Sequence, residues 1–324
     1  MKEKVKQNLK ISSTFTAALV GAGFASGQEI ALFFGGKNIA SVILAAALIA
    51  LFCYVFLELG RLSEGNVFES MGPVFSLCFN YLVKLINLII LAVMTAGSEY
   101  IIKNSLGFTG GGAVSLILCC VLVTEGMESV KTLNMLTVPI MIILISALLF
   151  TAGGKIILSG KTAFFNSLAY AGMNIITGGY LVGLMAKDIH KSQCRNISLI
   201  CFGQVLILLM FVYAAVNLCE AGTMPLLAQA YKYRFGFAGV VTIFLALFTS
   251  MVSALASCSQ TKTQSVLVYA GLGFLFSLFG FHNLVNATYM PIGGAGFAIT
   301  ACCSFYLICL SLRNRRRPDI LPRF

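Results

Sequence analysis

The sequence predicts an all-α polytopic membrane protein of about ten transmembrane helices, arranged as two five-span halves of opposite orientation. Three observations predict it. The 324 residues are 59% hydrophobic and only 10% charged, with a mean hydropathy of +0.94, whereas soluble domains carry roughly 25% charged residues. The apolar residues fall in blocks of about 18 to 25, the length a helix needs to cross roughly 30 Å of hydrocarbon. The first and sixth blocks are both interrupted by glycines and polar residues. A β-barrel is excluded, because no stretch alternates in polarity over the roughly ten residues that a barrel strand requires.

The ten spans lie at about 10–34, 38–60, 74–102, 111–130, 132–152, 164–186, 196–217, 238–259, 263–281 and 284–312. They form one domain, with a first repeat at about 10–152, a second at about 164–312 and a basic tail at 313–324. The N-terminal run MKEKVKQNLK reads as the start of a retained span, since no small-residue cleavage site precedes Glu29. An even number of spans puts both termini on one side. Of the 22 Lys and Arg residues, 16 fall on that side, Lys2, Lys10, Arg61, Lys131 and Arg315 among them, and 6 on the other. Cytoplasmic loops gather Lys and Arg, so both termini are expected in the cytoplasm of a cell-membrane protein. The same rule accounts for the net charge of +11 without a nucleic-acid partner. The 11 cysteines show no CxxC or Cys/His metal spacing and read as small buried hydrophobes. The longest polar interval, Asn217 to Gly236, reads as a short helix over the outer face and a candidate lid.

In span one, VGAGFASGQE (Val20–Glu29) places Gly21, Gly23 and Gly27 within seven residues, each costing about 1 kcal/mol relative to Ala inside a helix. An unwound segment there frees backbone groups that must face protein, a cavity or a ligand. In span six, AGMNIITGGY (Ala171–Tyr180) interleaves Gly172, Gly178 and Gly179 with Asn174 and Thr177. Broken helices at matching positions of two halves point to a mid-membrane binding site in an inverted-repeat transporter. The competing account of both segments is close helix packing through small residues. Span eight contains Ala246, Thr249 and Ser250. A hydroxyl on a helix usually bonds back to its own backbone, but two adjacent hydroxyls beside a helix carbonyl also form half the shell of a small hard cation.

Together these features resemble the LeuT-fold transporters of the amino acid, polyamine and organocation superfamily. GAGFASGQE is similar to the YkvI-type bacterial membrane proteins. The resemblance covers essentially all ten spans. Ala246-Leu247-Phe248-Thr249-Ser250 is similar to the A-x-x-T-S pattern of a sodium site between helices one and eight. It implies sodium ligation by the carbonyls of Ala246, Gly21 and Phe24 and the hydroxyls of Thr249 and Ser250. Relatives that couple to protons often carry a helix-five lysine in place of that ion, and span five here has none. Span one also lacks the arginine that sodium-and-chloride relatives carry there.

The expected function is sodium-coupled symport of a small amino acid or related zwitterion by alternating access, with helices 1, 2, 6 and 7 rocking against 3, 4, 8 and 9. The substrate residues read from the sequence are Ala22, Gly23, Ala25, Ser26, Gly27 and Glu29 in the first break, Thr95 in span three, and Asn174, Thr177 and Gly178 in span six. Glu29 has three open readings: partner of a substrate cation, carrier of a coupling proton, or cap of freed amides. Glu99 reads as structural, and Glu58, Glu125 and Glu128 as solvated or paired with Lys or Arg. No Ser/His/Asp grouping, metal cluster or phosphate loop appears in the sequence, which argues against an enzyme. No cofactor is expected beyond the coupling sodium ion. Two alternatives stay open: a ligand-sensing receptor subunit of the same fold, and a proton-coupled transporter using Glu29.

Overall fold

The computed structural model describes residues 2–20, 24, 27–35, 39–150, 163–218, 236–260 and 262–316. Among them are eleven α-helices that make up ten spans. Span one is split into α1 (Lys2–Leu19) and α2 (Gln28–Phe34), and α3 (Ile39–Leu62) is span two. α4 (Pro73–Leu106), α5 (Gly111–Thr124) and α6 (Met127–Phe150) complete the first half. The second half comprises α7 (Phe164–Leu184), α8 (Lys191–Leu218), α9 (Gly236–Ser259), α10 (Thr263–Ser277) and α11 (Phe281–Arg316).

Six of these helices, α3, α4, α6, α8, α9 and α11, are long and apolar enough to cross a membrane, and α5 and α10 are shorter apolar helices. Large apolar side chains such as Ile117, Ile143, Leu267 and Phe305 are exposed on the outside, as a lipid-facing surface requires. The protein is a multi-pass membrane protein.

The helix pairings show the repeat directly. α3 packs on α7 as α8 packs on α1, and α4 packs on α10 as α9 packs on α5. α1 meets α6 as α7 meets α11, while α9 meets α6 as α4 meets α11. Exchanging the halves turns each pairing into its mate, and five spans per half invert the orientation between them. One group of helices comprises α1, α3, α7 and α8, the other α4, α5, α9 and α10, with α6 and α11 bracing the seam.

Two boundaries differ from the sequence reading. The join of spans four and five falls at Glu125 and Gly126, not near residue 131, because Gly126 takes a left-handed φ of 109° that ends the helix. Span six is not discontinuous: α7 is helical from Phe164 to Leu184. Its glycines serve close packing. A Cβ on Gly296 of α11 would overlap the Gly172 carbonyl, and one on Gly60 of α3 would overlap the Gly183 carbonyl. Backbones this close recover in contact what glycine costs in helix propensity.

The loop Arg61–Pro73, which has no special role in the sequence reading, packs under α7: Val67 and Phe68 are buried, and Phe68 stacks on Tyr180 with centroids 5.7 Å apart. The predicted lid lies largely outside the described residues.

Candidate functional site at the helix break

α1 ends at Leu19 because the chain leaves helical geometry at Val20, and α2 begins after Gly27, whose φ of 82° admits glycine with little strain. The Gly27 amide donates to the Phe24 carbonyl at 3.0 Å. Two small sites flank the end of α1.

The first lies between α1 and α9. The Ser250 hydroxyl is 3.1 Å from the Val20 carbonyl oxygen, 3.3 Å from that of Ala17 and 3.4 Å from that of Ala18. The Thr249 hydroxyl is 2.9 Å from the Leu245 carbonyl oxygen, 3.1 Å from that of Ala246 and 3.5 Å from that of Ala17. Five carbonyl oxygens thus converge on two hydroxyls that hold one proton each. Those of Ala17, Ala18 and Val20 belong to the terminus of a helix, where carbonyls lack intrahelical donors. The carbonyls of Leu245 and Ala246 also serve the α9 ladder, so the three carbonyls from the end of α1 outnumber the two hydroxyl protons, the condition that a bound cation relieves.

Ala246, Thr249 and Ser250 are therefore brought together as read from the sequence. The span-one carbonyls facing them are those of Ala17, Ala18 and Val20, about one turn earlier than the expected Gly21 and Phe24. Gly21 lies outside the described residues, and the Phe24 carbonyl already accepts from Gly27.

The second site is a cavity of about 30 Å³ lined by Ala18, Leu19, Glu29, Ile90, Met94, Met173, Asn174, Thr177, Ser250, Tyr289 and Ile292. It draws on six helices, α1, α2, α4, α7, α9 and α11, and so spans both helix groups. The volume suits one or two waters. Eight buried side-chain oxygens among the described residues lack a hydrogen-bond partner, and three of them belong to residues that line the cavity: Glu29 Oε2 and the hydroxyls of Thr177 and Tyr289. Glu29 is 3% exposed. The Tyr289 hydroxyl lies beside its carboxylate, and Tyr170 is within electrostatic reach. Each buried polar group left unpaired costs about 1–3 kcal/mol, so a cluster of such oxygens around one cavity marks a candidate site for a polar ligand.

Of the substrate residues expected from sequence, Glu29, Asn174 and Thr177 line this cavity. Thr95 does not: its hydroxyl bonds back to the Leu91 carbonyl at 2.8 Å, and Met94 and Ile90 face the cavity instead. Gly178 packs against Phe15 of α1, and Gly27 caps α2. Ala22, Gly23, Ala25 and Ser26 lie outside the described residues. Tyr170 and Tyr289 were not foreseen. The available signal was a tyrosine in the middle of an apolar span, far from the interface where its hydroxyl would find water.

Glu99, Glu58 and Glu128 are held by bonds within the fold. Glu99 accepts from the Gly110 amide at 3.0 and 3.1 Å and from the Gly112 amide at 2.9 Å, fixing the start of α5. Arg61 donates to both oxygens of Glu58, and Glu128 holds Lys10 at 2.9 Å and Lys131 at 2.8 Å. On the face that carries Lys10, a cavity of about 530 Å³ opens between the start of α4 and the ends of α7 and α9. The Tyr180 hydroxyl donates to Asn80 Oδ1 at 2.8 Å and accepts from Gln260 at 3.4 Å, between this vestibule and the central cavity.

The fold is that of the LeuT-type transporters. It superposes on a manganese transporter of Eremococcus coleocola, solved with an aromatic bis-isothiourea compound, with a TM-score of 0.62, covering 91% of this chain and 75% of that one at 10% identity. It also matches Mhp1, a nucleobase-cation-symport-1 family transporter solved closed around bromovinylhydantoin, with a TM-score of 0.60, covering 90% and 77% at 14% identity. By sequence it is similar to two uncharacterized Bacillus subtilis (strain 168) proteins. YyaD is 22% identical over 90% of this chain and 94% of its own, and the membrane protein YkvI is 18% identical over 95% and 97%. No protein-family model matches the chain.

Proposed function

We propose that the protein is a secondary transporter that couples sodium to the uptake of a small amine-bearing solute, amino acids among the candidates. The observation that carries the reading is the placement of the two sites. Both lie at the end of α1, and both draw ligands from each of the two helix groups, so occupation changes the free energy of their relative movement. Sodium would be held by the carbonyls of Ala17, Val20 and Ala246 and the hydroxyls of Thr249 and Ser250. The solute would sit among Glu29, Asn174, Thr177 and Tyr289. The Lys- and Arg-rich face is assigned to the cytoplasm of a cell membrane, with both termini on that side. Solute then leaves through the vestibule below Tyr180. Manganese is cargo of one structural neighbour, but among the described residues no three His, Cys, Asp or Glu side chains come together as a metal site here.

The test is thermal stability of the purified protein in sodium, potassium or choline at constant ionic strength. An ion that binds the native state at a hundred times its Kd stabilises it by about 2.7 kcal/mol. A sodium-specific rise in Tm that disappears in Thr249→Ala/Ser250→Ala is expected. Equal melting in all three salts refutes sodium coupling.

A further inference from the structure

We infer that the vestibule beneath Tyr180 seats the headgroup of an anionic phospholipid from the adjoining leaflet, with Lys84 as its charge partner. This site is separate from the two at the helix break, and its occupation does not depend on the transport reading.

One wall of the vestibule is a single face of α4. Pro73, Ser76, Leu77, Asn80, Tyr81 and Lys84 line it, and at 1.5 Å per residue that face is about 16 Å long. Lys84 stands at its inner end. The Cys258 thiol donates to the Lys84 carbonyl at 3.3 Å, which sets this residue beside the last turn of α9. Lys84 is half-buried and takes part in none of the ion pairs among the described residues. Glu69, the acid that lines the cavity, precedes the start of α4, about three turns from Lys84, and accepts from Asn66 at 2.7 Å. The inner end of the vestibule therefore holds a sheltered cation whose complement is an anion. Ser76 Oγ accepts from Asn80 Nδ2 at 3.2 Å, which leaves its own proton for a phosphate oxygen.

The rim of the same wall is apolar and faces outward. Leu77 and Tyr81 line the cavity yet are 60% and 68% exposed, and Val74, Phe75 and Leu85 are exposed beside them. In a membrane, acyl chains cover such a surface. A cation inside and an apolar ridge outside match an amphiphile with an anionic head, where a soluble anion would use the cation alone. The alkyl stem of Lys84 can lie along the apolar wall and present its ammonium at headgroup level. Basic pockets between helices at the membrane surface hold anionic headgroups in this way, and a cavity of about 530 Å³ has room for a glycerophosphate group. A head seated there stands below Tyr180, across the exit that the transport reading gives the solute, and competes with it.

The purified full-length protein, delipidated in neutral detergent, is titrated with dioleoylphosphatidylglycerol, dioleoylphosphatidylcholine, glycerophosphate or inorganic phosphate at matched concentrations. Native mass spectrometry reads the tightest binding step, and Tm is followed alongside. Phosphatidylglycerol should bind more tightly than phosphatidylcholine and raise Tm. Lys84→Gln should weaken that step about fivefold, the weight of one cation against an anionic head, whereas Lys84→Arg should keep it. Leu77→Glu, at an exposed position, sets a like charge on the rim and should weaken binding by a similar factor. Lys103→Gln, at the far end of α4, should leave it unchanged. An unchanged Tm before lipid is added shows each variant folded. Equal affinity for phosphatidylcholine, indifference to both Lys84→Gln and Leu77→Glu, or an equal loss in Lys103→Gln overturns the inference. Glycerophosphate or phosphate matching the intact lipid also overturns it, by giving the cavity to a soluble anion.

Discussion

In span one α1 ends at Leu19 and α2 begins at Gln28, with Val20 and Gly27 outside helical geometry, whereas its counterpart in the second half, α7, runs from Phe164 to Leu184 without interruption. Both carry glycines around mid-membrane, so glycine content alone does not break a helix. In α7 the glycines are pressed by neighbours: Gly172 meets the backbone of Gly293 and Phe297 of α11, and Gly183 meets the Val67 side chain and the Phe56 carbonyl of α3. In span one Gly27 takes a left-handed conformation that no helix interior contains. The contrast shows that glycine inside a span can serve close packing in an unbroken helix as well as a left-handed turn between two helices. The candidate functional groups collect at the end of α1 and the start of α2.

The most damaging way to break the comparison is to force the close approach apart. Gly60→Ala or Gly296→Ala places a Cβ against a facing carbonyl with no flexible atom to yield. A loss of about 3 kcal/mol, read as a large fall in Tm or in the yield of monodisperse protein, is expected. Unchanged melting would mean that α7 is not held by these contacts.

Two carboxylates sharpen the same contrast between structural and functional roles. Glu99→Gln removes the charge from an acceptor of three amide bonds and should cost about 1–3 kcal/mol without altering ligand affinity. Glu29→Gln should leave stability equal or higher, since it removes a buried carboxyl group whose Oε2 has no partner, while weakening solute binding at least tenfold. A melt and a titration on both variants separate the two roles. A drop in stability for Glu29→Gln larger than for Glu99→Gln would reverse the assignment.

Gly27→Ala places a side chain at φ 82° and should lower stability by about 1 kcal/mol, which chemical denaturation in detergent can resolve. At the lower end, Gly271→Ala in α10 meets nothing within 4 Å. It should be neutral or stabilising by up to about 1 kcal/mol in the same measurement.

Much of the site was legible because burying a polar group in lipid is costly enough to leave a mark in the sequence. Glu29, Asn174, Thr177, Thr249 and Ser250 stand out against apolar surroundings, and all five line one of the two sites. Thr95 stood out equally and is satisfied by its own helix. A hydroxyl carries no sequence mark that separates back-bonding from ligand binding. Tyr289 was overlooked because it comes from the last span, and only the packing of α11 on α4 and α7 brings it to Glu29.

The sequence by itself determined the membrane, the number of crossings, the two halves and the break in span one, because hydrocarbon thickness and unsatisfied backbone impose strict lengths and patterns on a chain. Only the tertiary structure decided that span six stays whole, that the carbonyls of Ala17 and Val20 meet Ser250, and that Glu29 is buried beside Tyr289. Those outcomes depend on which atoms of distant segments lie within about 3 Å of one another, and one helix turn of register, invisible in composition, is enough to exchange one set of neighbours for another.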